Sequence, residues 1–269
     1  MATQSNPLPS PAVAPPARPQ TQPAVAQTPA LLPGAAPRRS YFNTSLGTKV
    51  LMGATGLLLF AYLILHLAGN LLLYFGPETF NGYSHLLISN PLVIPVEIGL
   101  LAVFVVHVYK AVSNFLANRR ARPVGYRSYT WTKRPSRKSL ASTTMILSGI
   151  VLFAFILIHL VQFKFGAEYH TADATGAEVR DLYRLEVEVF SNILNVVFYA
   201  FAMLVVGAHL WHGIASAFDS LGATHPRYTP WVLGAGKTLA FLIAMGFLSI
   251  PVAVFFVLAP MAAGSAGGG

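Results

Sequence analysis

The chain has 269 residues, 54% of them hydrophobic and only 10% charged, with a formal net charge of +9 and no cysteine. A soluble domain carries about a quarter charged residues, so this composition excludes an ordinary soluble fold. The lack of thiols excludes disulfides, thiolate-held iron–sulfur clusters and covalent c-type haem within this chain. The cations gather in a few links, as membrane topology requires, which argues against nucleic-acid binding.

Residues 1–39 are rich in Pro, Ala and Gln and lack the charged start and apolar core of a signal peptide. They read as a disordered tail, and the Gly-rich residues 261–269 read the same way. Between them, residues 40–260 hold five apolar stretches. These run from about Lys49 to Phe75, Leu92 to Leu116, Leu140 to Phe165, Val189 to Phe218 and Lys237 to Leu258. Each is long enough to cross a hydrocarbon core of about 30 Å as a helix. The expected fold is therefore an all-α, integral membrane bundle of five transmembrane helices.

Lys and Arg set the orientation. The link between the second and third helices carries Arg119, Arg120, Arg122, Arg127, Lys133, Arg134, Arg137 and Lys138, which places it on the cytoplasmic side. The N-terminus then lies inside and the C-terminus outside. The link between the third and fourth helices, with Glu168, Asp173, Glu178 and Asp181, lies outside.

The sequence repeats. Met52–Leu67 reads MGATGLLLFAYLILHL and Met145–Leu160 reads MILSGIVLFAFILIHL. A weaker match joins HVYKAV from His107 in the second helix to HLWHGI from His209 in the fourth. The first four helices thus form two copies of a two-helix unit with the same orientation, related by an axis along the membrane normal.

Each of these four helices carries one histidine that the repeat aligns: His66, His107, His159 and His209. Ionisable groups inside a membrane are costly and mark function. His66 and His159 lie in the outer halves of their helices. His107 and His209 lie about 9 residues from the inner ends, or about 14 Å at about 1.5 Å per residue. Depth pairs His66 with His159 and His107 with His209. Facing neutral imidazoles suit six-coordinate haem iron, which passes electrons instead of binding oxygen. Two such haems at different depths span the bilayer. His212 aligns with Lys110 and reads as a neighbour of the site, while His85, His170 and His225 fall in links. Gly56 and Gly149 stand ten residues ahead of His66 and His159. Their missing side chains suit either a porphyrin against the backbone or close packing of helices. Glu97, near the outer end of the second helix, is the one carboxylate well inside an apolar span. It reads either as a proton relay to a quinone or as a carboxylate reaching the interface, and His85 is a weaker candidate for the same role.

Several segments carry a family resemblance: GTKVLMGATGLLL, HLAGNLL, FNGYSHLL, NRRARP, DLY and HLWHGIASAFDSLG, in that order from about Ser40 to Leu258. Together with the four histidines they resemble the cytochrome b membrane subunit of succinate dehydrogenase and fumarate reductase, in its single-chain, five-helix, di-haem form. The resemblance implies haem b ligated by His66 with His159 and by His107 with His209. It implies a flavoprotein partner that oxidises succinate to fumarate and an iron–sulfur partner that feeds electrons to the inner haem. Quinone, most often menaquinone in two-haem members, would react near the outer haem in a bacterial inner membrane. Fumarate reductases of the family run the reaction in reverse. The cationic link would obey the positive-inside rule, dock the iron–sulfur partner, or do both.

Three other readings fit less well. A different di-haem quinol cytochrome of the bc type would carry two ligands on each of two helices, and the ascorbate-reducible cytochromes fit the quoted motifs poorly. A proton-coupled or metal transporter would break its helices near carboxylates, for which only Pro95, Pro251 and Glu97 speak. An anchor that had lost its haems would have no reason to keep four aligned histidines.

Overall fold

The computed structural model describes residues 44–120, 140–173 and 175–261, all within the unit Ser40–Gly269. Most of both expected tails and most of the cationic link, residues 121–139, lie outside the described residues.

Thr44 opens the first helix. Its side-chain oxygen accepts from the Gly47 amide at 3.0 Å, satisfying an amide that the first turn leaves unpaired. Helix α1 runs Ser45–Asn70 and tightens into a 3-10 turn, Leu71–Phe75. Gly76, at φ 94°, then turns the chain into a region closed to most side chains. A short helix α2, Pro77–Ile88, follows, with proline in its first turn, where no amide is needed. The second span is α3, Val93–Arg120. The third is α4, Leu140–His159, continued by a π turn, Leu160–Lys164. Phe165 caps it, and at Gly166 a Cβ would fall on the Gln162 carbonyl, so the chain needs glycine there.

The link that follows is structured. Strands β1, His170–Ala172, and β2, Glu178–Arg180, pair antiparallel with Thr171 opposite Val179. Asp173 holds their turn: its Oδ1 accepts from the amides of Thr175 and Ala177 at 2.8 and 2.9 Å. Helix α5, Leu182–Phe190, comes next. The fourth span, α6, covers Ile193–Ser220 and starts later than the apolar pattern indicates. Asn192 breaks the chain from α5 and caps α6 by accepting from the Leu194 amide at 2.9 Å. The fifth span starts earlier than its apolar pattern: α7 runs Thr229–Ala253, with Pro230 in the first turn, and ends in a π turn, Val254–Leu258. The helix continues through Pro251.

Five helices are therefore long and apolar enough to cross a membrane: Leu46–Phe75, Val93–Arg120, Met145–Lys164, Ile193–Ser220 and Thr229–Met261. Large apolar side chains such as Leu65, Ile98, Leu147 and Phe241 stand on their outer faces, as lipid contact requires. Helix α1 packs on α3 and α6, and α4 packs on α6 and α3. The four form a ring in which α1 faces α4 along one diagonal and α3 faces α6 along the other. Helix α7 packs outside the ring against α6 and α1.

One end of the bundle is capped. Helix α2 packs against the 3-10 turn, β2 and α5, and α5 packs against both π turns. The buried core is concentrated beneath this cap and includes Leu73, Phe80, Phe190, Tyr199 and Val254. A polar clasp closes it. The buried Asn81 of α2 donates from Nδ2 to Asp181 Oδ1 at 2.8 Å and accepts from the Tyr183 amide at 2.9 Å. Asp181 also caps α5 by accepting from the Arg184 amide at 3.0 Å. Two segments far apart in sequence, FNGYSHLL and DLY, thus meet through hydrogen bonds that a buried amide must make.

Candidate functional site

The two helix diagonals carry the two histidine pairs. Near the capped end, His66 of α1 and His159 of α4 face each other with ring centroids 5.9 Å apart and planes at 84°. Two imidazoles bound to one metal through bonds of about 2 Å have centres about 6 Å apart, so the separation suits a shared metal. Aromatic rings line the pair: Tyr62 stacks on His66 at 5.4 Å, Phe247 lies 5.6 Å from it, and Phe155 and Phe163 lie 5.7 and 5.2 Å from His159. His107 of α3 and His209 of α6 lie farther from the cap, on the second diagonal, and His209 is within electrostatic reach of both His107 and His212.

In all four histidines the hydrogen-bonding neighbour is on Nδ1. Thr55 Oγ1 is 3.2 Å from His107 Nδ1, and Ser148 Oγ is 2.9 Å from His209 Nδ1. The Tyr199 hydroxyl is 3.4 Å from His159 Nδ1, and Asn70 Nδ2 is 3.4 Å from His66 Nδ1. Tyr199 donates its proton to Gln162 Oε1 at 2.6 Å, which leaves its oxygen as an acceptor for His159. Asn70 donates to the His66 carbonyl at 2.7 Å and approaches Nδ1 with a donor nitrogen, so His66 lacks the acceptor that the other three have. An acceptor on Nδ1 favours the tautomer with its lone pair on Nε2, the form that could bind a metal, and this is the arrangement at His107, His159 and His209.

The donor set also bears on the kind of metal. Among the described residues no group of three or more His, Cys, Asp or Glu comes together. A bare transition metal ion takes about four ligands. A pair of imidazoles suits a metal that brings most of its own coordination sphere, as haem iron would.

The remaining candidates fall in separate places. Gly56 and Gly149 do open space for a ring, and that ring is a histidine. A Cβ on Gly56 would lie 3.4 Å from His107 Cε1, and one on Gly149 3.9 Å from His209 Cε1. Glu97 is paired with Lys164 at 2.5 Å and is about half exposed, as a carboxylate at the interface would be. His85 stands exposed on the last turn of α2, and His170 is exposed on β1. Lys110, aligned with His212 by the repeat, is buried one turn beyond His107.

A carboxylate outside the apolar spans was missed. Glu186 of α5 is 6% exposed, and its Oε2 has no hydrogen-bond partner among the described residues. The signal was present: Leu182, Leu185, Glu186, Val189 and Phe190 share one helix face, so Glu186 sits on the apolar stripe. Tyr199, the neighbour of His159, lies within its electrostatic reach. Burial pushes the Glu186 carboxyl up to about 8, so the folded protein holds it neutral at pH 7. A raised carboxyl contributes its full stability below about 4.5, its unfolded value, and loses it as pH rises toward 8. At about 1.4 kcal/mol per unit, this linkage removes about 3 kcal/mol by pH 7. Glu186→Gln is therefore expected to raise the thermal unfolding temperature in detergent at pH 8 and to leave it nearly unchanged at pH 4.5. An equal change at both pH values would refute a buried neutral acid.

The family model of the succinate dehydrogenase/fumarate reductase transmembrane subunit matches residues 118–253, just over half of the chain. The match includes α4, α6 and α7, with His159 and His209. No curated protein and no solved structure matches the chain. The family model covers more than half of the chain, the five apolar helices agree with it, and the chain belongs to the succinate dehydrogenase/fumarate reductase transmembrane subunit family.

Proposed function

We propose that the chain is the di-haem cytochrome b anchor of a succinate:quinone oxidoreductase. It conducts electrons between an iron–sulfur subunit and a membrane quinone, menaquinone, while a flavoprotein subunit oxidises succinate to fumarate. His66 with His159, and His107 with His209, hold one haem b each. The capped end faces outside and the cationic link faces the cytoplasm of a bacterial inner membrane, where it meets the iron–sulfur subunit. The same residues serve the reverse, fumarate-reducing direction.

One observation carries this reading. Four histidines stand on four different helices, with His66 facing His159 at 5.9 Å between ring centroids and His209 within electrostatic reach of His107, and each has a neighbouring side chain on Nδ1. Haem iron held by two imidazoles supplies one-electron transfer with no open coordination position. The chain's own residues position and enclose it. The ring of helices fixes each imidazole at a set depth. Phe155, Phe163, Phe247 and Tyr199 exclude water around the pair near the cap. Burial in this apolar lining would raise the potential of an iron held there by disfavouring its more charged, oxidised state.

Quinone reacts beside the pair near the cap. Glu97 and Lys164 stand at that end of α3 and α4, with Tyr62 within reach of the carboxylate and stacked on His66. Glu97 is placed to pass protons between outside water and a quinone at this rim.

Two experiments follow. Redox-resolved spectra of the purified complex should show two haem components. His66→Ala and His159→Ala should each remove one of them, and His107→Ala and His209→Ala the other. Loss of both components in every variant, or a different grouping, would reject the pairing. Glu97→Gln should lower quinone turnover several-fold and shift its pH profile. Unchanged turnover with an unchanged profile would remove Glu97 from the proton path.

A further inference from the structure

Two hydroxyls lie beside the histidine pair farther from the cap, and the repeat aligns them. Thr55 precedes His66 by eleven residues on α1, and Ser148 precedes His159 by eleven on α4. Each is followed by glycine. We propose that Thr55–Gly56 and Ser148–Gly149 are matched seats that orient the imidazoles of His107 and His209, acting as positioning residues for the haem those histidines hold. The proposal rests on the haem reading above.

Hydrogen-bond directions support it. A hydroxyl has one proton to give. Thr55 Oγ1 donates its proton within its own helix, to the Leu51 carbonyl at 2.7 Å, with the Met52 carbonyl 3.2 Å away. Ser148 Oγ donates to the Met145 carbonyl at 3.0 Å. Toward the histidines, both oxygens are therefore acceptors, at 3.2 Å from His107 Nδ1 and 2.9 Å from His209 Nδ1. An acceptor at Nδ1 selects the tautomer with its proton there and its lone pair on Nε2, the form that binds a metal. Thr55 is only 5% exposed, so water does not readily replace it.

The glycines complete each seat. A Cβ at Gly56 would be 3.4 Å from His107 Cε1, and one at Gly149 would be 3.9 Å from His209 Cε1. With no Cβ, the imidazole edge lies close to the helix that supplies its acceptor. Eleven residues are about three turns, so seat and ligand lie close to one face of the same helix at different depths. Helix α1 thus carries His66 and seats His107 of its neighbour α3. Helix α4 carries His159 and seats His209 of its neighbour α6. Each copy of the two-helix unit contributes one ligand to each pair and aligns one of them internally.

A serine or threonine inside a membrane helix often bonds only to its own backbone. That plain role predicts no effect on a haem. The seat role predicts a specific one. An acceptor on Nδ1–H makes the imidazole a stronger donor and favours oxidised iron, and its removal costs about 10–100-fold in metal affinity. The test is a potentiometric titration of the purified complex with Thr55→Val, Thr55→Ser, Ser148→Ala and Ser148→Thr. Thr55→Val and Ser148→Ala should raise the midpoint potential of the same haem component and weaken its retention, leaving the other component unmoved. Thr55→Ser and Ser148→Thr, which restore the hydroxyl, should match the wild type. Potentials unmoved in all four variants, or moved equally with and without a hydroxyl, would overturn the seats while leaving the haem reading standing. Wild-type complex without haem would overturn the haem reading itself. Should Thr55→Val fail to assemble, the Ser148→Ala and Ser148→Thr pair decides by the same criterion.

Discussion

An imidazole inside a hydrocarbon layer must satisfy two nitrogens with no help from water. Leaving either unpaired costs free energy on the scale of a lost buried hydrogen bond, about 1–3 kcal/mol. The bundle places a polar side chain beside Nδ1 of each of the four histidines. Thr55, Ser148 and Tyr199 bring an oxygen to Nδ1 of His107, His209 and His159, and Asn70 brings a donor nitrogen to that of His66; in the proposed reading Nε2 serves the haem iron. This constraint explains why the histidines come in facing pairs and why hydroxyls sit inside apolar helices. It also explains why glycines stand beside two of those hydroxyls.

The pairs depend in turn on the ring of four helices. Placing α1 opposite α4 and α3 opposite α6 puts one pair on each diagonal, and the position of each histidine along its helix sets the depth of its pair. The cap belongs to the same design. Asn81 and Asp181 tie α2 to α5 over the end nearest His66 and His159, and most of the buried core lies beneath them. Farther from the cap, Thr55 and Ser148 lie within hydrogen-bond distance of His107 and His209.

Much of this was legible in the sequence, because membrane spans leave a strong signal. Five apolar runs, the repeat MGATGLLLFAYLILHL and its partner, and one aligned histidine per helix were enough for the fold and for candidate pairs. The pairing of His66 with His159 followed from depth alone, and the structure brings those rings together. Helix ends were less legible. Asn192 moves the start of α6 beyond the apolar pattern, and Pro230 lets α7 begin in a polar segment. The cap was not foreseen. Helix α5 is too short to give a span signal, and its Glu186 lies between two apolar spans. Only its place on the stripe of Leu182, Leu185, Val189 and Phe190 marked it as buried. Gly56 and Gly149 suited either a porphyrin or close helix packing, and the imidazoles of His107 and His209 that lie beside them come from neighbouring helices. The acceptor roles of Thr55 and Ser148 rest on distances to α3 and α6 and were invisible along the chain.

The most direct test of the account is the haem content of the intact complex, measured by pyridine haemochrome assay against the amount of this chain. Two bis-histidine sites predict two haem b per chain. One haem per chain would contradict the second site, and a well-folded complex with none would contradict the cytochrome itself.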